Sequence, residues 1–267
     1  MSVCIYPQNI WAIVPAAGSS SRMGCTLEAE SEKVSSKVLI PLESSWTVLH
    51  ESLKQLWLSG VRVLVIPTKV ELIEEINKIA IETGDWNYLK VCQGGETRTD
   101  SVLNAVSYLK DLRENTVCLD NRNQDEPIVI IHDAARPFCS VSLIEKAIKI
   151  SRIEKHGAVI GVPVISTIKE VNGEGFITNT PLREKLWEAQ TPQVFPFDNF
   201  VFAYESLKNS GHIFYDDSSV YESAGFTVKI VRGEYQNLKV TTPIDIEVGR
   251  IIYKTIRLKG GKGSKPE

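Results

Sequence analysis

The chain has 267 residues, 43% of them hydrophobic and 24% charged, with 30 basic against 33 acidic side chains and a net charge of -3. That length buries a full core in one large domain, and the charge balance argues against a surface that coats nucleic acid, which needs a local excess of Lys and Arg. No run approaches the length of a membrane span, the opening residues lack the charged start of a signal peptide, and Cys4, Cys25, Cys92, Cys118 and Cys139 never fall in a Cys-x-x-Cys frame, so the expectation is a soluble, cytoplasmic protein without membrane contact, disulfide framework or zinc site.

The first element is an apolar run, Ile10-Trp11-Ala12-Ile13-Val14, which empties into Pro15-Ala16-Ala17-Gly18-Ser19-Ser20-Ser21-Arg22-Met23-Gly24. A buried strand that stops at a loop of small residues ending in Arg leaves backbone N–H groups uncovered beside a permanent cation, which is how a protein wraps a polyphosphate. A tight turn has the same composition, so the loop alone leaves both readings open. It is not a Walker loop, for it lacks a Gly-Lys-Ser/Thr ending, and Gly18 is not followed by the further glycines of a dinucleotide fingerprint. No Gly-x-Ser-x-Gly elbow frames its serines. Residues 25–36 are polar, carry Glu28, Glu30, Glu32 and Lys33, and read as an exposed loop.

Further β-branched runs at 61–67, 128–131, 157–162 and 227–231 read as buried parallel strands, and helical patterns at 71–83, 99–112 and 142–155 supply the crossovers. The order predicts an α/β fold with a doubly wound, mostly parallel sheet, in a single domain over residues 1–258. Residues 115–126 read as a surface loop. Residues 164–193 hold strand-like pieces at 165–171 and 175–178 around Asn172-Gly173, a hairpin turn signal. They are expected to project as a β-hairpin arm, serving either as a dimerisation device or folded back on its own domain. The Gly- and Lys-rich end, 259–267, is expected to be disordered.

In open α/β sheets ligands collect outside the carboxyl ends of the strands. After 128–131 comes His132-Asp133-Ala134-Ala135-Arg136-Pro137. Asp133 suits a hard cation such as Mg²⁺ and Arg136 a phosphate or carboxylate, although an Asp–Arg pair capping the next helix would use the same residues. After a strand near 89–92 comes Gln93-Gly94-Gly95-Glu96-Thr97-Arg98-Thr99-Asp100-Ser101. Its glycines permit close backbone approach to the edge of a base, and its Thr and Asp serve equally as a helix cap. More polar groups follow in Leu186-Trp187…Thr191-Pro192-Gln193, in Tyr215-Asp216-Asp217-Ser218-Ser219 and in Asn237-Leu238-Lys239-Val240-Thr241.

In order, and from residue 10 to about 250, these motifs together with Lys37…Pro41-Leu42 resemble the 2-C-methyl-D-erythritol 4-phosphate cytidylyltransferases. The resemblance implies a Rossmann-like nucleotidyltransferase of isoprenoid precursor synthesis that joins CTP to methylerythritol phosphate and releases pyrophosphate. It implies that Ala16, Ala17 and Gly18 line the nucleotide and that Arg22 and Lys37 bind its triphosphate. Lys239 would be a third cation at the reacting phosphorus, Gly95, Glu96 and Ser101 would read cytosine, and Asp133 would hold Mg²⁺ or another divalent cation. The polyol phosphate would meet Arg136, Thr167, Arg183 and Thr191, with Thr167 and Arg183 supplied by the partner's arm in a homodimer.

Two positions depart from the family pattern. Its Pro-Lys-Gln triplet is Ser36-Lys37-Val38 here, behind the longer 25–36 link, so Lys33 stands as an alternative to Lys37. Tyr215 occupies a place usually held by Thr, and must either point away from the pocket or narrow it. Ribitol-5-phosphate cytidylyltransferases share the fold and most motifs, but their loop more often reads Ala-Gly-Gly and their Asp turn His-Asp-Ser-Val-Arg. Ala16-Ala17-Gly18 and Ala134-Ala135 therefore favour the erythritol family. A non-catalytic nucleotide-binding module is the remaining alternative, and it has no need of the full set of cations.

Overall fold

The structure is a computed structural model that describes residues 9–18, 36–117, 126–206 and 214–260. After β1 (Ile10–Ile13), a short antiparallel ribbon of β2 (Pro41–Glu43) and β3 (Trp46–Thr47) leads into α1 (Val48–Leu58) and β4 (Val63–Thr68). Next come α2 (Ile73–Thr83), β5 (Tyr88–Gln93), α3 (Arg98–Val117), β6 (Ile128–Ile131), α4 (Val141–Glu154) and β7 (Gly157–Pro163). The second half holds β8 (Glu170–Val171), β9 (Ile177–Asn179), β10 (Trp187–Pro196), α5 (Phe197–Ser206), α6 (Asp217–Ser223), β11 (Val228–Arg232) and α7 (Pro243–Gly260).

Among the described residues seven strands form one sheet in the order β11-β7-β10-β6-β1-β4-β5. All neighbours are parallel except β10, which runs antiparallel to both β6 and β7. Both faces are covered, so the central strands carry no polar alternation, and the period of two merely sorts apolar residues between two cores. Ile10, Ala12, Ile128 and Ile130 pack with Leu49, Leu53, Ile76 and Ile144 from α1, α2 and α4. Trp11, Ile13, Val129 and Ile131 pack with Val102, Val106, Phe200, Tyr204 and Val220 from α3, α5 and α6.

The expected strands and crossover helices lie where the patterns put them, within a few residues at their ends. Helices α1, α5, α6 and α7 were not marked by those patterns, and α3 takes up the start of the expected loop at 115. Helix α7 likewise takes up residues 259 and 260, the first two of the end expected to be disordered. Residues 118–125 of the loop, the 25–35 link and residues 261–267 lie outside the described residues.

The arm is shorter than expected. Residues 164–186 form the exposed hairpin of β8 and β9, but residues 187–193 are not part of it: they enter the main sheet as the start of β10. Pro192 argues locally against an interior strand, yet β10 fills the gap between β6 and β7, with Gln193 opposite Ile131 on one side and Val159 on the other. The register on the β7 side shifts between Ala189 and Gln193, around the proline. Because β10 is antiparallel, its early residues lie beside the carboxyl end of β6.

Candidate active site

The loops after β1, β5 and β6 surround a cavity of about 340 Å³. One wall is Ala16, Ala17 and Gly18, another Gly95, Glu96, Arg98 and Ser101, and a third Asp133, Ala134 and Ala135, with Lys37 and Lys239 reaching in from before β2 and after β11. The first wall is set by Ala16, whose N–H donates to Pro67 O at 2.9 Å and carries the strand pairing past the end of β1.

Glycine is required in the second wall for space. A Cβ on Gly94 would sit 2.8 Å from Ala17 Cβ, and one on Gly95 2.2 Å from Asp100 Cβ. Thr97 and Asp100 cap the start of α3 by exchanging hydrogen bonds, Thr97 N–H to the Asp100 carboxylate at 3.0 Å and Asp100 N–H to Thr97 Oγ1 at 3.1 Å. The Ser101 hydroxyl accepts from Gly95 N–H at 3.0 Å and donates to Thr97 O at 2.9 Å, so it shapes the loop that it also exposes to the cavity.

Asp133 is the electrostatic centre of the third wall. Lys239 Nζ lies 2.8 Å from its Oδ2, Arg136 Nε 3.5 Å from the same oxygen and Arg98 Nε 3.6 Å from Oδ1. Burial by itself would raise its pKa, but the fields of Lys239, Arg98 and Arg136 outweigh that and hold the carboxyl well below the usual range. Behind it, His132 Nε2–H donates to Arg136 O at 3.0 Å, while Nδ1 accepts from the Thr191 hydroxyl at 3.1 Å. Thr191 Oγ1 accepts in turn from Asp133 N–H at 2.9 Å. Burial pushes the His132 pKa down to about 4, so the ring is neutral and fixes this chain of bonds in one direction.

Lys239 is aimed by its neighbours. Asn237, fully buried, donates from Nδ2 to Thr191 O at 3.0 Å and Gln190 Oε1 at 3.2 Å, and its carbonyl accepts from Arg136 Nη1 at 2.8 Å. Val240 N–H donates to Ala135 O at 2.8 Å. The lysine therefore rides on a loop pinned at both ends to the Asp133 turn.

Of the residues singled out in the sequence, Ala16, Ala17, Gly18, Lys37, Gly95, Glu96, Ser101, Asp133 and Lys239 line this one cavity. Arg136 and Thr191 do not line it: both are buried behind Asp133, Thr191 with its hydroxyl bonded on both sides and Arg136 bonded through Nη1, while its Nε faces Asp133 without a hydrogen bond. Thr167 and Arg183 are exposed on the arm, and Arg183 Nη1 donates to Ile165 O at 3.0 Å across the legs of the hairpin. Arg22 and Lys33 lie outside the described residues. Tyr215 is 91% exposed, so of its two expected placements it takes the one pointing away. The sequence alone did not mark Arg98, His132, Asn237 and Asp217 as site residues. Arg98 carried a usable signal, since a cation at the first turn of a helix opposes the helix dipole and needs another reason to be there.

Among the described residues no group of three or more His, Cys, Asp or Glu is placed to hold a metal. Asp133 is the cavity's buried, ionised carboxylate. The profile of the 2-C-methyl-D-erythritol 4-phosphate cytidylyltransferase family matches residues 10–255.

The chain belongs to this family.

A cytidylyltransferase of that name from Caldanaerobacter subterraneus subsp. tengcongensis is 35% identical over 251 residues, covering 92% of this chain and 99% of that protein. One from Clostridioides difficile is 33% identical over 240 residues, covering 90% of this chain and 92% of that protein. The crystal structure of the 4-diphosphocytidyl-2C-methyl-D-erythritol synthase from Anaerococcus prevotii superposes with a TM-score of 0.71 at 25% identity, over 95% of this chain and all of that one. In this member of the cytidylyltransferase family, Lys239, Arg98 and Asp133 line the same cavity as the loop after the strand at which the family profile begins, at residue 10.

Proposed function

We propose that this protein joins CTP to 2-C-methyl-D-erythritol 4-phosphate, releasing pyrophosphate. The observation that carries the reading is the meeting, in one cavity, of an amide-bearing small-residue loop, Lys37, Lys239, Arg98 and a carboxylate held ionised. A cavity of this size falls at the small end of the range for ligand sites, about 300–1,000 Å³.

In the reaction an oxygen of the substrate's phosphate, already anionic at neutral pH, attacks the α-phosphorus of CTP, and the bond from that phosphorus to the bridging oxygen of pyrophosphate breaks. No strong base is needed. The work is to hold two anions together and to stabilise charge on the α-phosphate and the departing group, for which fixed cations and backbone amides are suited. Lys239, on its pinned loop, acts at the reacting phosphorus, Lys37 at the triphosphate, and Gly95, Glu96 and Ser101 at the base. Asp133 would hold Mg²⁺, an ion that commonly takes one or two carboxylates and completes its shell with water and substrate phosphates; a single ionised carboxylate fits that mode. When bound, the metal supplies charge neutralisation on the phosphates.

The arm supports a homodimer. Ile165, Ile168, Val171, Phe176, Ile177 and Leu182 are all exposed along it in one chain, a concentration of apolar surface that a second copy would cover. In that dimer Thr167 and Arg183 reach the partner's polyol phosphate. With two phosphorylated substrates that do not cross membranes unaided, the protein works in the cytoplasm, and none of its described helices is long and apolar enough to span a membrane. The decisive assay is pyrophosphate release from CTP with methylerythritol phosphate and ribitol 5-phosphate side by side. Preference for the first is expected; a higher kcat/KM with ribitol 5-phosphate would overturn the reading.

A further inference from the structure

Arg98 lines the cavity and is also held from behind. Its Nη2 donates to Asp217 Oδ2 at 2.6 Å, while Nε faces Asp133 Oδ1 at 3.6 Å. Asp217 is fully buried, and its other oxygen accepts from the Tyr204 hydroxyl at 2.5 Å. Tyr204 is itself buried in α5 against Phe200, with ring centroids 4.7 Å apart. Asp217 is placed by the start of α6, where Asp216 caps the helix and is gripped by Gln193 Nε2 at 2.8 Å. Two segments far apart in the sequence, the turn after β6 and the start of α6, thus converge on one guanidinium, with α5 supporting the second.

The anchoring sets Arg98 apart from Lys239. Breaking a buried ion pair by moving one partner leaves an uncompensated charge, which is strongly unfavourable. Arg98 therefore cannot leave Asp217, and the rest of its fork stays turned toward the cavity. Lys239 is exposed to a similar extent, 36% against 30% for Arg98, but its ion pair is with Asp133 on the cavity wall and not with a fully buried carboxylate, so it can exchange that carboxylate for an arriving phosphate. A guanidinium suits such a fixed role, because its rigid fork of donors can engage a carboxylate on one edge and a phosphate on another.

We infer that Arg98 is a further phosphate-binding, charge-stabilising residue of this site, and that Asp217 and Tyr204 are positioning residues that set its guanidinium. The inference rests on the cytidylyltransferase reading for the identity of the phosphates, which belong either to CTP or to the polyol phosphate.

The test uses the full-length protein. Tyr204→Phe keeps the packed ring and removes one of the two hydrogen bonds on Asp217. Its kcat is expected to fall about tenfold with KM values little changed, the pattern of a lost transition-state contact. Arg98→Met is expected to lose more, and in that background Tyr204→Phe should have no further effect on kcat, since it acts through the arginine. Should Arg98→Met fail to fold, Arg98→Met combined with Asp217→Asn removes both charges together and serves as the background. Calorimetric titration with CTP alone and with methylerythritol phosphate alone gives the source of the phosphate, as the ligand whose affinity Arg98→Met weakens. Tyr204→Phe that lowers the melting temperature but leaves kcat and both affinities at wild-type values would overturn the inference, as would an undiminished effect in the Arg98→Met background. If wild-type protein turns over neither polyol phosphate, the functional reading fails separately, and CTP affinity in the Arg98 variants decides the inference.

Discussion

Thr191 separates two accounts of the site most cleanly. Its hydroxyl accepts from Asp133 N–H at 2.9 Å and donates to His132 Nδ1 at 3.1 Å, and all three residues are buried. Valine has nearly the same shape, so Thr191→Val leaves no cavity but strips both groups of their partner. A buried polar group left without its hydrogen bond costs about 1–3 kcal/mol. With two such groups and some relaxation, the expected loss is roughly 2–4 kcal/mol, which for a chain of this size lowers the melting temperature by roughly 5–15 °C. Asp133 also loses the anchor on its own backbone, so kcat should fall alongside stability. Thr191→Ser keeps both bonds and gives up one methyl group, worth about 0.8 kcal/mol, so it should recover most of the loss. Thermal melts and steady-state kinetics with both substrates varied would decide. If the hydroxyl instead meets the polyol phosphate, as the family resemblance implies, Thr191→Val would melt like wild type and show only a raised KM for that substrate; this result would refute the positioning role.

Removing the pinned cation, Lys239→Ala, should lower turnover by about 100-fold or more, the scale for deleting one preorganised charge stabiliser, and wild-type rates would remove it from the chemistry. Asp133→Asn should abolish the dependence of turnover on added Mg²⁺ together with most of the activity, whereas a retained metal response would assign the metal elsewhere. Stability should rise with pH between about 4 and 6.5: His132 has a folded pKa of about 4 against 6.5 when exposed, so in that window only the unfolded chain takes up the proton. The full contribution, about 3 kcal/mol, is present above the window and gone below it, and the depressed Asp133 adds stability of the same sign that is lost at still lower pH. Urea melts near pH 4.5 and pH 7.5 should therefore differ less for His132→Gln than for wild type, and an equal difference would show that another group governs the slope. Mixing inactive Arg183→Ala and Lys239→Ala chains should restore activity if the arm completes its neighbour's site; verified heterodimers without recovery would return Arg183 to its own subunit.

Much of this site was legible in the chain because strand ends are local features. Apolar runs such as 10–14 and 128–131 mark buried strands wherever they occur, and the residues immediately after them, Ala16-Ala17-Gly18 or His132-Asp133, must lie at the carboxyl edge of the sheet. Gly94 and Gly95 were readable for a similar reason, since only glycine tolerates the approach they make. The features that local sequence left open depend on partners distant along the chain. The place of Arg98 in the first turn of α3 calls for a partner, but nothing near it says that the partner is Asp217, 119 positions away. Strand β10 carries two prolines and reads locally as the foot of an arm, but the vacant hydrogen-bonding edges of β6 and β7 draw it into the sheet and bring Thr191 behind Asp133. Local composition thus determined which residues stand at the mouth of the sheet, while packing between remote segments decided which of them face the cavity and which stand behind to hold the others in place.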